Sequence, residues 1–139
     1  MIKLMTSDEE IMATFPVMTQ LRTHLAEEHY VETIRRLQKT NNYHLAAVLQ
    51  LDRVKCVAGY RLAECLSWGN FLYVDDLVTD NDARSEQHGK RMMDWLIDQA
   101  RENRCQEIHL DSGVQRHGAH RFYLRERMDI TCYHFARKL

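Results

Sequence analysis

The sequence predicts an α/β fold in which a sheet is covered by helices on both sides, and three observations predict it. The first third of the chain repeats apolar residues at helical spacing, the middle switches to a period of two, and residues 88–104 switch back. Ser7-Asp8-Glu9-Glu10 reads as a capping box, in which Ser7 covers an exposed amide and Glu10 reaches back, and Ile11, Met12 and Phe15 follow at helical spacing. A first helix therefore starts near residue 8. Pro16 breaks or restarts it, and Val17, Met18, Leu21 and Leu25 continue the stripe. Tyr30, Val31, Ile34 and Leu37 make a second helix that Asn41-Asn42 ends.

From Tyr43, Leu45, Ala47, Leu49 and Leu51 alternate onto one face, Asp52-Arg53 connects, and Val54 to Ala63 returns as the second arm of a hairpin. Phe71 to Thr79, rich in β-branched and aromatic residues, is a third strand. Over residues 88–104, Met92, Met93, Leu96, Ile97 and Ala100 face inward while Lys90, Arg91, Asp94, Asp98 and Arg101 face outward. Glu107 to Asp111 is a short strand, His117 to Arg127 a short helix, and Ile130 to Ala136 a last strand. The expected order is ααβββαβαβ, with a right-handed parallel crossover from 71 to 111.

The chain has 139 residues, a size for one domain with one core, and no Gly/Ser/Pro-rich linker or repeat divides it, so 1–139 is expected to be a single domain. Its 19 basic and 20 acidic residues nearly cancel, which excludes the global field expected of a nucleic-acid or polybasic membrane binder. Four scattered cysteines form no CxxC pair, and no apolar run approaches the roughly 20 residues a membrane span needs. The expectation is a soluble cytoplasmic protein with no membrane or nucleic-acid partner.

The stretch that carries chemistry runs from Leu77-Val78-Thr79 through a polar loop, Asp80 to His88, into Gly89-Lys90-Arg91. A helix beginning there presents unpaired amides and the positive end of its dipole, which is a site for an anion such as a nucleotide pyrophosphate. Gly89 allows close approach to the backbone, and Arg84 and Lys90 can add charge-assisted hydrogen bonds. An ordinary helix start with flanking charges fits the same residues. Neither a P-loop nor a dinucleotide-binding glycine string is present.

Arg84-Ser85-Glu86-Gln87-His88-Gly89 resembles the coenzyme signature of the GNAT acetyltransferase superfamily, Q/R-x-x-G-x-G/A, at its first and last positions. Leu72 to Thr79 is similar to that family's fourth strand, and Leu110-Asp111-Ser112-Gly113 with Ala119-His120-Arg121-Phe122-Tyr123 to its fifth strand and following helix. The resemblance covers the whole chain. It implies the GNAT fold, a mixed, mostly antiparallel twisted sheet flanked by helices on both faces, and an acetyl-CoA-dependent N-acetyltransferase without a metal. Gln87 stands where the family has its first glycine, so its side chain either crowds a phosphate or donates to it. Arg116 stands where members often carry Asn, and is compatible with a coenzyme phosphate.

Carried onto this chain, the resemblance implies coenzyme binding by Leu77, Val78 and Thr79 through their backbone, by Arg84, Ser85, Glu86, Gln87, His88, Gly89 and Lys90, and by Arg116. A substrate amine attacks the thioester directly. Tyr123 is placed to protonate the departing thiolate, since a phenol of ordinary pKa about 10 is a donor at neutral pH. An alkylammonium must first lose a proton, and Asp75 and Asp76 lie on the adjoining strand. Alternation sends them to opposite faces, so at most one serves, and Asp76 is the candidate base, alone or through water. The acceptor is expected to be a small-molecule amine. A protein amino terminus or lysine, or an acyl-CoA-binding module with little catalysis, is the alternative, and a homodimer is compatible with the family.

Two other signals are set aside. His117 and His120 at i, i+3, with His109 and Asp111 upstream, fall short of the three or four convergent ligands of a zinc site. Direct transfer needs no cysteine nucleophile, and neither Cys56 nor Cys105 has a base beside it in sequence.

Overall fold

A computed structural model describes all 139 residues, Met1–Leu139. The elements run β1 (Ile2–Leu4), α1 (Asp8–Leu21), α2 (Glu27–Thr40), β2 (Tyr43–Gln50), β3 (Arg53–Cys65), β4 (Gly69–Thr79), α3 (His88–Glu102), β5 (Glu107–Leu110) and α4 (His117–Arg125). The chain divides into two units, Met1–His109 and Leu110–Leu139.

The first unit is built on a sheet of order β1-β2-β3-β4-β5, with the first three pairings antiparallel. Strand β1 has no counterpart in the sequence expectation. Three residues are too few to show a period, and Ile2 to Leu4 become a strand only because β2 offers them an edge. As the crossover requires, β5 lies beside β4, and the Gln106 amide donates to the Asn70 carbonyl at the start of β4 (2.8 Å).

Helix α1 starts as its capping box dictates, with Ser7 Oγ accepting from the Glu10 amide (3.1 Å) and the Glu10 carboxylate accepting from the Ser7 amide (3.0 Å). The Lys3 ammonium also donates to Glu10, and these bonds hold its carboxyl down at about 2. Pro16 does not end the helix, which runs through it to Leu21. A mid-helix proline loses one amide bond, and the buried neighbours Val17 and Met18 on the core face offset that loss. The β2–β3 turn is at Leu51-Asp52 rather than Asp52-Arg53. Both residues have positive φ (50° and 58°), which is the geometry a two-residue hairpin requires, and it leaves Leu51 in solvent rather than on the strand's apolar face.

The core on one sheet face joins Ile11, Val17 and Met18 of α1 and Tyr30 and Ile34 of α2 to Tyr43, Leu45, Ala47, Val57 and Val78 of the sheet. A buried hydrogen bond joins the Thr14 and Tyr30 hydroxyls at 2.7 Å. On the opposite face α3 buries Met92, Met93, Leu96 and Ala100, and its Trp95 meets Tyr60 of β3 edge-to-face.

The second unit contains α4 and an irregular remainder. The strand expected at Ile130–Ala136 is absent, and residues 128–139 carry no helix or strand. Period-two composition gives a segment the capacity to pair, but a strand also needs an edge to pair with, and this segment has none within its unit.

Candidate active site

Strand β4 carries an irregularity that decides where its carboxylates point. Gly59 is opposite Asp76 and Tyr60 is opposite Val74, so Asp75 is an extra, bulged residue. Residues directly opposite share a face: Tyr43 with Arg61 and Tyr73, and Leu45 with Gly59 and Asp76. Tyr43 and Leu45 are two apart on one strand, so Tyr73 and Asp76, three apart, share a face as well. The bulge absorbs the odd residue.

The expectation that Asp75 and Asp76 point to opposite faces is therefore corrected. Both carboxylates are taken up by side chains of the face that α1 and α2 cover. Asp76 Oδ1 accepts from Arg22 Nε (2.8 Å) and Oδ2 from the Tyr43 hydroxyl (2.8 Å). Asp75 accepts from Arg61 Nε and Nη2 (2.7 and 3.0 Å), a bidentate pair, and its carbonyl accepts from Arg22 Nη2 (2.8 Å). Arg61 also lies over the Tyr73 ring, 5.1 Å from its centroid.

Asp76 can meet Tyr43 because residue 59 has no side chain. A Cβ there would lie 1.7 Å from the Tyr43 hydroxyl oxygen and 2.7 Å from Asp76 Oδ2. Burial first, and then the Asp76 charge, push the Tyr43 phenol well above its ordinary range, so it stays a donor to the carboxylate.

Downstream, Leu77, Val78 and Thr79 pair with Ala58, Val57 and Cys56 on one side. On the other side β5, four residues long and entering at Asn70, ends well before them. That backbone edge is the one an extended ligand would use. Val78 is buried in the core, and the Thr79 hydroxyl donates to Cys56 Sγ (3.6 Å). Burial pushes the Cys56 thiol up to about 11, which leaves it protonated and without nucleophilic character at neutral pH.

The loop that follows is pinned at its entry. Gln20 of α1 donates to Asp80 Oδ1 (3.1 Å) and accepts from the Asn81 amide (2.9 Å). The Gln20 bond is the main reason the Asp80 carboxyl sits below its ordinary value. After a 3-10 turn at Asn81–Ala83, Ser85 (φ 75°) and Gln87 (φ 64°) both take left-handed conformations, and Gln87 becomes the N-cap of α3 without a side-chain cap bond. The opening amides of α3 are thus not covered by a capping side chain, which is the arrangement that receives an anion.

Arg84, Ser85, Glu86 and Gln87 are exposed, and Gly89 is partly so. Lys90 is exposed and donates to Asp94 one turn on (3.3 Å). His88 differs from its neighbours. Its imidazole is buried, with Nε2 2.9 Å from Glu86 Oε2, so only its backbone faces the loop. A carboxylate can only accept, which puts the proton on Nε2. Nδ1 is then a buried polar atom without a partner. The loop's donor set, with uncapped amides, Arg84 and Lys90, fits the diphosphate of a coenzyme, and the ring of His88 braces the turn by holding Glu86.

In the second unit, Arg116 is exposed at the N-cap of α4, and Tyr123 lies partly exposed within that nine-residue helix, its ring 5.4 Å from Phe122. The His117 and His120 rings are 6.0 Å apart, with His120 Nε2 on the Gly113 carbonyl (2.7 Å).

Sequence reasoning missed Arg22, Tyr43, Gly59 and Gln20. Each acts on a residue more than 15 positions away, and no local spacing marks such a pairing. The one available signal was Gly59, a glycine inside a strand pattern, which often marks a bulge or a close approach.

Residues 9–128 match the model of the acetyltransferase (GNAT) family. The chain is 34% identical over 130 residues to the uncharacterized N-acetyltransferase YhdJ of Bacillus subtilis (strain 168), spanning 94% of this chain and 91% of the relative. Its fold is similar to a GNAT family acetyltransferase of Staphylococcus aureus (TM-score 0.84, 14% identity, 100% of this chain and 98% of the other). It is also similar to glucosamine-6-phosphate N-acetyltransferase of Arabidopsis thaliana (TM-score 0.79, 15% identity, 99% and 98%). No helix is long and apolar enough to cross a membrane. With a family match running from Glu9 through the bulged strand, the uncapped α3 and α4 to Met128, this chain belongs to the GNAT acetyltransferases and is an acyltransferase enzyme of that family.

Proposed function

We propose that the protein transfers an acetyl group from acetyl-CoA to the primary amine of a small molecule by direct attack, as a single functional domain of the cytoplasm. Acetyl-CoA, which the family uses, supplies the activated acetyl thioester when bound. The observation that carries the reading is the turn at Ser85–Gln87, whose positive φ angles deliver the chain into α3 with its first amides uncapped. Those amides, with Arg84 and Lys90, receive the diphosphate; the backbone of Leu77–Thr79 pairs with the pantetheine arm; Arg116 offers a further cation.

Asp76 acts on the amine. Arg22 and Tyr43 both donate to its carboxylate and fix where it points. Its part is accordingly to accept a hydrogen bond from the amine and orient it, while water carries the proton away. Tyr123 donates a proton to the leaving thiolate. The Arabidopsis relative in fold acetylates a small amino sugar phosphate by its name, which is the acceptor class favoured here over a protein amine.

The test is isothermal titration with acetyl-CoA, followed by an amine screen scored by release of free coenzyme A. Arg84→Ala should weaken coenzyme binding by roughly 10- to 100-fold, the worth of a hydrogen bond to a charged group. Absence of binding by the unmodified protein would remove the proposal. Turnover only with peptides would replace the small-molecule acceptor.

A further inference from the structure

We infer that the acceptor amine also carries an anionic group, a carboxylate or a phosphate, which Arg22 and Arg61 receive while Asp76 holds the nitrogen; this rests on the reading of Asp76 as the residue that orients the amine. All the side chains involved belong to the first unit. Arg22 is the C-cap of α1 and Arg61 lies on β3, so two separate elements bring their guanidinium groups to the β4 bulge. Arg22 pairs with Asp76 and Arg61 with Asp75, and the four charges cancel. Within each pair the guanidinium is the more exposed partner, most clearly at Arg22, 42% against 14% for Asp76. A ligand entering from solvent therefore meets the cations first and a carboxylate beneath them.

Neither guanidinium is used up by the bulge. Each spends Nε and Nη2, Arg22 on the Asp76 carboxylate and the Asp75 carbonyl, Arg61 on both oxygens of Asp75, and Nη1 is left on both. Two bonds fix the plane of each group, and Arg61 is further held against the Tyr73 ring. A planar donor fixed in advance loses little freedom when an anion arrives. Stability alone gives little reason for these pairs, since ion pairs open to solvent contribute little to folding. The signs also select among amines. A ligand that is only a cation brings a like charge to Arg22, a repulsion that a polyamine multiplies, and one that is only an anion is repelled by Asp76. An amine with a carboxylate or phosphate a few bonds from its nitrogen satisfies both signs at once.

Matched amines that differ only in the anion provide the test: glycine against glycinamide, and O-phosphoethanolamine against ethanolamine, with spermidine as a polycation. In calorimetric titrations of the full chain saturated with coenzyme A, the acidic member of at least one pair should bind roughly 10- to 100-fold tighter than its partner, and spermidine no tighter than ethanolamine. The pair with the larger ratio identifies the anion. Arg61→Gln combined with Asp75→Asn removes one ion pair without leaving a lone charge, and should lower that ratio by about tenfold. Arg61→Lys keeps the charge but not the planar fork, and should give an intermediate ratio. A purely structural role for Arg61 would shift both members of a pair together and leave the ratio alone. Equal binding within both pairs, tighter binding of spermidine, or a ratio that the double variant leaves unchanged overturns the inference. Should the double variant not fold, the ratios of the unmodified protein and of Arg61→Lys decide. Release of coenzyme A from acetyl-CoA separates this from the enzymatic reading. Acidic amines that bind with the stated preference but are never acetylated would end the transfer role of Asp76 and keep the ligand, whereas glycinamide or spermidine acetylated as efficiently as the acidic amines would end the ligand and keep the transfer.

Discussion

Two stretches of one polypeptide, the β4 bulge and the loop into α3, sit ten residues apart and solve opposite problems. At the bulge each carboxylate oxygen of Asp75 and Asp76 meets a donor, and a tyrosine hydroxyl threads over a glycine to reach one of them. In the loop, Arg84 to Gln87 lie in solvent, two residues hold left-handed backbone, and the helix starts without a side-chain cap. The first is a finished network, held rigid before any ligand arrives. The second leaves the first amides of α3 without a capping side chain and stores strain. The difference matches what each must do: a group acting on a reacting atom needs fixed position, while an anion cradle needs open amides.

If that division holds, damage to the chemistry and damage to binding should separate. The largest effect is expected from Tyr123→Phe and Asp76→Asn. Loss of a general acid should lower turnover at saturating substrates by about 10²–10⁴, with coenzyme affinity nearly unchanged. Asp76→Asn should lower turnover and raise the amine's KM while leaving coenzyme affinity alone. Arg84→Ala should do the reverse. A Tyr123→Phe enzyme of full turnover, measured with a true acceptor, would assign the phenol to packing and thiolate protonation to water.

The bulge can also be tested through stability. Tyr43→Phe removes one donor from Asp76 and leaves Arg22, so turnover should fall by roughly tenfold, the worth of one hydrogen bond to a charged group. Its pH signature is specific. The folded Tyr43 pKa lies above the unfolded value near 10, and burial pushes Tyr30 and Tyr60 up to about 12. A raised folded pKa contributes stability that is whole below pH 10 and is lost as pH rises toward the folded value. Each such phenol should cost about 1.4 kcal/mol per pH unit in that window. Thermal melts of Tyr43→Phe between pH 9 and about 11 should therefore fall less steeply than those of the unmodified protein. Parallel curves would show that Tyr43 ionises freely and that the bulge is looser than its distances say.

The two regions differ as much in how far they could be read. The helices and the hairpin were legible because their period is local: Ser7 and Glu10 set the start of α1, and Met92, Met93, Leu96 and Ala100 mark the buried face of α3. The loop was legible as a motif, from Arg84 to Gly89, although nothing in its letters showed that the His88 ring turns inward to hold Glu86. The bulge was not. Strict alternation placed Asp75 and Asp76 on opposite faces, and a single extra residue reversed that, because register depends on the facing strand. Arg22 and Tyr43 reach Asp76 from 54 and 33 positions away, distances at which one sequence carries no signal. The strand expected at Ile130–Ala136 failed for the same reason, since pairing belongs to two segments.

The smallest effect sharpens the other side of the comparison, the strain in the loop. Gln87 has φ 64° and ψ 17°, a left-handed conformation at the very position where the coenzyme signature otherwise carries glycine. Residues with a Cβ hold that conformation at a cost of about 1–2 kcal/mol, whereas glycine holds it freely. Gln87→Gly removes the strain but gives back about 0.5–1 kcal/mol in unfolded-chain entropy, so the net gain in stability should be about 0.5–1 kcal/mol, a rise of roughly 2–4 °C. The Gln87 side chain is exposed and makes no capping bond to α3, so its removal should leave coenzyme affinity equal or tighter. Calorimetric melts and acetyl-CoA titration read the two halves separately. A more stable variant with more than tenfold weaker binding would show that the Gln87 amide donates to phosphate, and that this loop tolerates left-handed strain in order to place an extra donor at the anion.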